Sequence, residues 1–233
     1  FSYFWCYSAC VVIAALALVP VLWMTEAPCT DAKSGSKSVR EVVSVHFETC
    51  FEILRSERRI LNIIVYYSTV FAAQTVLFFY SQQYFYELGY NKVGISLIML
   101  VVGGVSCAGA VTSERFFARF GTEIGGIGAL VIAASFLAYG FHNTIVSVAA
   151  LAAANFFNSV LYPVQSEQLN CLIPSGQRAT LISVNSMFFS IAMILVFPLA
   201  GALADVCGLT TVLVGIGVGL AVFTAAWNKE VEK

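Results

Sequence analysis

Charge is what this sequence has least of. Of its 233 residues 11% are Asp, Glu, Lys or Arg, while 59% are hydrophobic. A soluble domain carries about 25% charged and 45–50% apolar residues. A chain of this length could bury a large core, but it has too few polar groups to cover that core in water, so the apolar excess calls for lipid. Twelve basic and thirteen acidic residues leave a formal net charge of −1, which offers no field to a nucleic acid and removes that class of partner. Histidine is nearly absent, with only His46 and His142, and no HExxH or pair of buried aspartates lies in an apolar stretch. An intramembrane enzyme is therefore disfavoured. The seven cysteines, at 6, 10, 29, 50, 107, 171 and 207, form no CxxC pair and have no histidine at ligand spacing, so no metal or cofactor is expected. They read as small hydrophobes. Gly125, Gly126 and Gly128 lie inside an apolar run with no lysine after them, which excludes a phosphate-binding loop.

What the chain does have is long apolar runs. Crossing about 30 Å of hydrocarbon takes about 20 apolar residues in a helix, the one open conformation that satisfies its own backbone there. Seven stretches qualify: about 1–24, 60–84, 93–112, 124–141, 144–163, 179–200 and 208–227. None has Lys or Arg in its interior. The expectation is an all-α membrane protein of seven spans.

Basic residues give these spans a direction. Alternating the sides puts Lys33, Lys37, Arg40, Arg55, Arg58, Arg59, Arg115, Arg119, Arg178, Lys229 and Lys233 on one side. Lys92 alone falls on the other. Cytoplasmic loops collect Lys and Arg, so residues 25–59 and the tail 228–233 are expected in the cytoplasm of a cell whose plasma (inner) membrane holds the spans. The first stretch lacks the basic start and small-x-small site of a signal peptide. It reads as a span of a chain whose earlier helices are absent.

Within 25–59, Thr30–Ser38 is rich in Ser, Gly and Lys and reads as a flexible linker. Ser38 and Glu41 then have capping-box spacing, and Val39, Val42, Val43, Phe47, Phe51 and Leu54 follow at helical periodicity. An amphipathic helix over about 38–58 is expected on the cytoplasmic side, its basic residues anchoring topology and meeting lipid.

The six spans of 60–227 divide into two triplets with matching punctuation. The second span of the first triplet ends at Gly109 and continues through Ser113-Glu114-Arg115 to Arg119-Phe120-Gly121. Its counterpart ends at Phe197-Pro198 and continues through Gly201 and Asp205 to Gly208. Similar triplets facing opposite sides are the pattern of an inverted repeat. In this ordered set the chain resembles the major facilitator superfamily, and within it the drug-exporter-like members, over nearly its whole length. The resemblance implies a twelve-helix transporter of two halves joined by a cytoplasmic linker. Residues 1–24 would be its sixth helix and 60–227 its C-terminal six. The missing N-terminal half, the lipid bilayer and a small-molecule substrate are then the partners.

The family's glycine–acid–arginine motif has a degenerate copy between helices 8 and 9. Gly109, Glu114, Arg115, Arg119 and Gly121 are similar to it, with Thr122-Glu123 in place of the usual basic pair. Pro174-Ser175-Gly176-Gln177-Arg178 is similar to the entry of helix 11. The resemblance implies that these loops, Arg178 included, gate the halves. Topological anchoring is the plainer reading of the same arginines.

Polar residues inside a span are the substrate-site candidates, because an unpaired polar group in hydrocarbon is costly. Tyr67, Phe71, Gln74, Phe78 and Gln82 fall at helical spacing in one span, and Asn155, Asn158, Tyr162 and Gln165 in another. Ser183, Ser186 and Ser190 share a face beside Asn185 in a third. The alternative is hydrogen bonding between helices, at about 0.6 kcal/mol each. No Asp, Glu, Lys, Arg or His lies mid-span, which disfavours an ionic substrate and leaves any proton-coupling carboxylate to the absent helices. A neutral or amphipathic solute is expected, with efflux ahead of sugar-like uptake. A seven-helix receptor or sensor shares the topology, but the last span has no lysine for a retinal Schiff base and no Asn-Pro pair.

Overall fold

The computed structural model describes residues 3–23, 55, 58–172 and 178–231. The expected linker helix, apart from positions 55 and 58, lies outside the described residues, as do Pro174–Gln177 and Lys233. Every described element is helical. Contacts divide the chain into Phe1–Val43 and Ser44–Lys233.

The first unit holds α1 (Tyr3–Leu22), with Pro20 inside it. Its apolar stretch, Tyr7–Pro20, is shorter than the others. The second unit holds α2 (Arg58–Glu87), α3 (Lys92–Phe120), α4 (Ile124–Ala138), α5 (Thr144–Leu172), α6 (Arg178–Cys207) and α7 (Leu209–Val231). Five helical stretches are long and apolar enough to cross a membrane: Arg58–Glu87, Lys92–Phe141, Thr144–Leu172, Leu181–Cys207 and Leu209–Trp227. The chain is an integral membrane protein by this measure. Five such stretches are found among the described residues, against the seven spans expected from the sequence.

Two of the expected spans account for part of that difference. Lys92–Phe141 counts as one run of 50 residues, about 75 Å if straight at 1.5 Å per residue. It is not straight. Gly121 adopts φ 56° and ends α3, its N–H donating to the Phe117 carbonyl. That left-handed conformation costs glycine little and other residues more. A short 3-10 turn, Gly121–Glu123, then starts α4, and a second, Tyr139–Phe141, ends it.

The six helices of the second unit alternate in direction. Arg59 and Tyr66 of α2, Phe117 of α3, Gly125 of α4, Gln168 of α5 and Trp227 of α7 line one cavity. Leu181 near the start of α6 packs at the same end with Ile60, Ile64 and Leu169. Tyr84 near the far end of α2 meets Ser147 at the start of α5 and Tyr139 after α4. Arg58, Arg59, Arg115, Arg119 and Arg178 therefore share one end of the bundle, and Lys92 starts α3 at the other.

Neighbours are swapped between the triplets. The most extensive packing is α3 on α5, then α4 on α5 and on α7, then α2 on α6 and on α5. Close approach rests on bare backbone. A Cβ on Gly109 of α3 would run into the Phe156 carbonyl of α5, and one on Gly217 of α7 would lie 2.6 Å from the Phe136 Cβ of α4. Small residues at crossings let membrane helices gain dispersion contact where the hydrophobic effect is absent. Hydroxyls add local bonds. Ser113 of α3 donates to the Val160 carbonyl of α5 (2.8 Å), and Ser106 and Ser159 pair at 2.6 Å.

Candidate functional site

The polar side chains singled out in the sequence gather along the seam of α2, α5 and α6. Gln74 Nε2 donates to Asn155 Oδ1 at 3.0 Å. Asn155 Nδ2 in turn donates to the Leu151 carbonyl of its own helix at 2.9 Å. Both residues are buried, so the pair is a closed tie between α2 and α5. Almost three turns further along α5, Gln165 Nε2 donates to Asn185 Oδ1 at 2.8 Å, joining α5 to α6. Each amide meets another amide because an unmet partner in a lipid-filled surround would cost several kcal/mol.

Asn158 lies between these two ties and differs from both. Its Oδ1 is buried and has no hydrogen-bond partner among the described residues. Leaving a buried acceptor unmet costs about 1–3 kcal/mol, so this oxygen is a position at which a donor from outside the chain would be bound favourably. Ser68 Oγ and Thr224 Oγ1 are unmet in the same way.

The aromatic candidates divide. Tyr67 is buried and Phe71 follows it at 5.7 Å between ring centroids. Phe71 then meets Tyr162 at 5.8 Å. Tyr162 itself is 65% exposed, unlike buried Asn155 two turns before it on the same helix. Phe78 and Gln82 are half-buried, Phe78 lying edge-on to Phe79. The four-residue stripe on α5 is thus unevenly buried, although Asn155 and Tyr162 both meet α2. That helix has neighbours on three sides, and Asn155 turns to α2, Ser159 to α3 and Leu161 to Gly128 of α4.

The loop residues at the basic end are also resolved. Glu114, Arg115 and Arg119 are exposed, with the Arg119 guanidinium 5.7 Å from the Phe120 ring. Gly109 is taken up by the α3–α5 crossing and Gly121 by the turn between α3 and α4. Arg178 donates to the Asn170 carbonyl at 3.4 Å, clasping the start of α6 to the end of α5.

Sequence reasoning overlooked two features. One is a clasp at the Pro198 position of α6, where Tyr80 of α2 donates to the Phe197 carbonyl at 3.0 Å. The carbonyl that Pro198 leaves without its helical donor is that of Ile194, four residues back; it is Gly201 that leaves room for the Tyr80 hydroxyl, which lies 2.7 Å from where a Gly201 Cβ would be. The other is a cavity of about 750 Å³ at the basic end, among the ends of α2, α3, α4, α5 and α7. Of the substrate-site candidates, Tyr67 alone lines it. Nothing in the sequence links positions as far apart as 59, 125, 168 and 227. Among the described residues no group of three His, Cys, Asp or Glu side chains is placed to hold a metal.

No protein-family profile, curated protein or solved structure matches the chain.

Proposed function

We propose that this chain is the solute-binding half of a secondary transporter of the major facilitator kind, moving a small neutral or amphipathic solute by alternating access, in the direction of efflux. The swapped packing carries the reading. The second helix of each triplet lies against the first helix of the other, α3 on α5 and α6 on α2, while α4 meets α7. A two-fold axis in the membrane plane, relating α2, α3 and α4 to α5, α6 and α7, generates that pattern. By the positive-inside rule the end with the arginines faces the cytoplasm of the plasma membrane.

Two further observations fit. The uncovered side of α3 includes Gly103, Gly104, Cys107, Ala108 and Ala110 among larger residues such as Leu97, Leu100 and Val111, and nothing lies within 4 Å of a Cβ on either of the first two. Small residues are wasted on lipid but suit a neighbouring helix, so a second six-helix half packs there. Asn158 then defines the solute: its free Oδ1 needs a hydroxyl or amide N–H, and the rings of Phe71 and Tyr162 beside the seam supply an apolar wall.

Reconstitution tests the whole reading. In liposomes, the chain alone should catalyse no uptake of a neutral amphipathic dye, and addition of the five preceding helices of an N-terminal half should restore transport. Asn158→Ala should weaken dye binding while leaving the purified half monodisperse. Dye movement by the chain alone would remove the word half. No movement in either preparation, together with unchanged binding in Asn158→Ala, would remove the transporter.

A further inference from the structure

The cavity at the basic end stands apart from the α2–α5 seam and has chemistry of its own. Its volume of about 750 Å³ is that of a small-molecule site, typically about 300–1,000 Å³. Its wall is mostly apolar and ring-rich: Tyr66 stacks on Phe223 at 5.9 Å and lies 6.1 Å from Trp227. The floor is rigid. Tyr66 donates its hydroxyl to the Gly125 carbonyl at 3.1 Å, and the Tyr67 hydroxyl sits 2.8 Å from where a Gly125 Cβ would be.

Two charges of opposite sign line this one cavity, Arg59 from the first turn of α2 and Glu167 from the last turns of α5. Both are exposed, and they are not paired with each other or with any other described residue. A lone arginine would mark an anion site and a lone carboxylate a cation site. One of each, held apart over an aromatic wall, matches a ligand that carries both charges. Asn62, Thr122 and Gln168 add neutral hydrogen-bonding groups around them. The helix ends that form the cavity are also those that meet the headgroup layer of a bilayer, where aromatic side chains favour one wet and one apolar side.

We propose that this cavity binds a zwitterionic amphiphile with a phosphate and an amine in its head. The phosphate lies at Arg59, where a guanidinium can hold two oxygens at once. The amine lies at Glu167, and the apolar part rests against Phe117 and Trp227. The site does not depend on transport. It would be present in a receptor or a scaffold built on the same six helices.

The chain carries its own reporter, since Trp227 is one of only three tryptophans and the others, Trp5 and Trp23, can be changed to Phe. In one neutral detergent this variant is titrated with three short-chain probes of equal chain length: an alkyl phosphoethanolamine, an alkyl phosphate and an alkylamine. The zwitterion should shift Trp227 emission saturably and bind at least about tenfold tighter than either singly charged probe, the discrimination expected from one charge-assisted hydrogen bond. Glu167→Gln should move the preference to the phosphate and Arg59→Gln to the amine. Both side chains are exposed, so gel filtration should show both variants folded. Equal titrations by all three heads, or preferences unchanged in both variants, would reduce the site to apolar partitioning and overturn the proposal. Bilayer discs identify the source. If membrane lipid fills the site, discs rich in phosphatidylethanolamine abolish the probe response and discs of phosphatidylglycerol keep it. If both keep it, the natural ligand is a soluble amphiphile.

Discussion

Helices α2 and α6 are the same length, 30 residues each, and both are long and apolar enough to cross a bilayer. Yet 61% of the apolar window of α2 is buried inside the bundle and only 6% of that of α6. The more buried helix is the less apolar of the two. In water the order would be reversed, because burial there is driven by apolar area. In a bilayer the lipid is as apolar as any core, so α6 gains little by hiding and α2, with Gln74, Ser81 and the three tyrosines Tyr66, Tyr67 and Tyr84 all buried, must. What is held inside this protein is its polarity.

That contrast can be broken or sharpened by substitution. The largest effect is expected at Gly109, where α3 crosses α5 against the Phe156 carbonyl. Gly109→Leu has no room for its side chain and should abolish the folded, monodisperse species in gel filtration; a normal elution profile would refute the crossing. Next comes Leu77, fully buried in α2. Leu77→Ala should lower stability by about 2 kcal/mol or more in a detergent-titration unfolding assay. The Gln74–Asn155 tie is worth less. Gln74→Leu and Asn155→Leu, measured singly and together, should give a coupling of about 0.6 kcal/mol and below about 1.7; strict additivity would show that the amides do not meet. The smallest effect belongs to α6. Ile194→Ala, at a position 71% exposed, should change stability by no more than about 0.5 kcal/mol. A loss comparable to that at Leu77 would mean that this face is covered by protein.

The order and rough positions of the helices were legible because backbone satisfaction in lipid leaves a single pattern to find, while their lengths were not: α3 runs 29 residues where 93–112 was expected. The expected stretch 124–141 corresponds to α4 with its closing turn, and 60–84 and 144–163 lie inside α2 and α5. The junction at Gly121 was legible as punctuation, though its positive φ was not. Within the seam, spacing alone identified Gln74, Asn155 and Asn185 as polar positions needing an explanation, and the partner of each came only from the packing. Tyr162 shows why. Spacing of three and four groups it with Asn155, and both do meet α2, but spacing cannot tell that Asn155 is buried there and Tyr162 is 65% exposed. The cavity at Arg59 and Glu167 was illegible for a simpler reason: five helix ends build it, and no local pattern records which ends come together.

The tie between α2 and α5 spans 81 residues of sequence, which sets a schedule for biogenesis. At about 5–20 residues per second, Gln74 leaves the ribosome about 4–16 s before Asn155 exists. During that interval α2 carries an unanswered amide and several phenols into the membrane, while α6, when it comes, can partition by itself. The insertion machinery must therefore shelter α2 or let it sit shallow until α5 arrives. The order of synthesis, no less than the final contacts, decides whether this bundle closes.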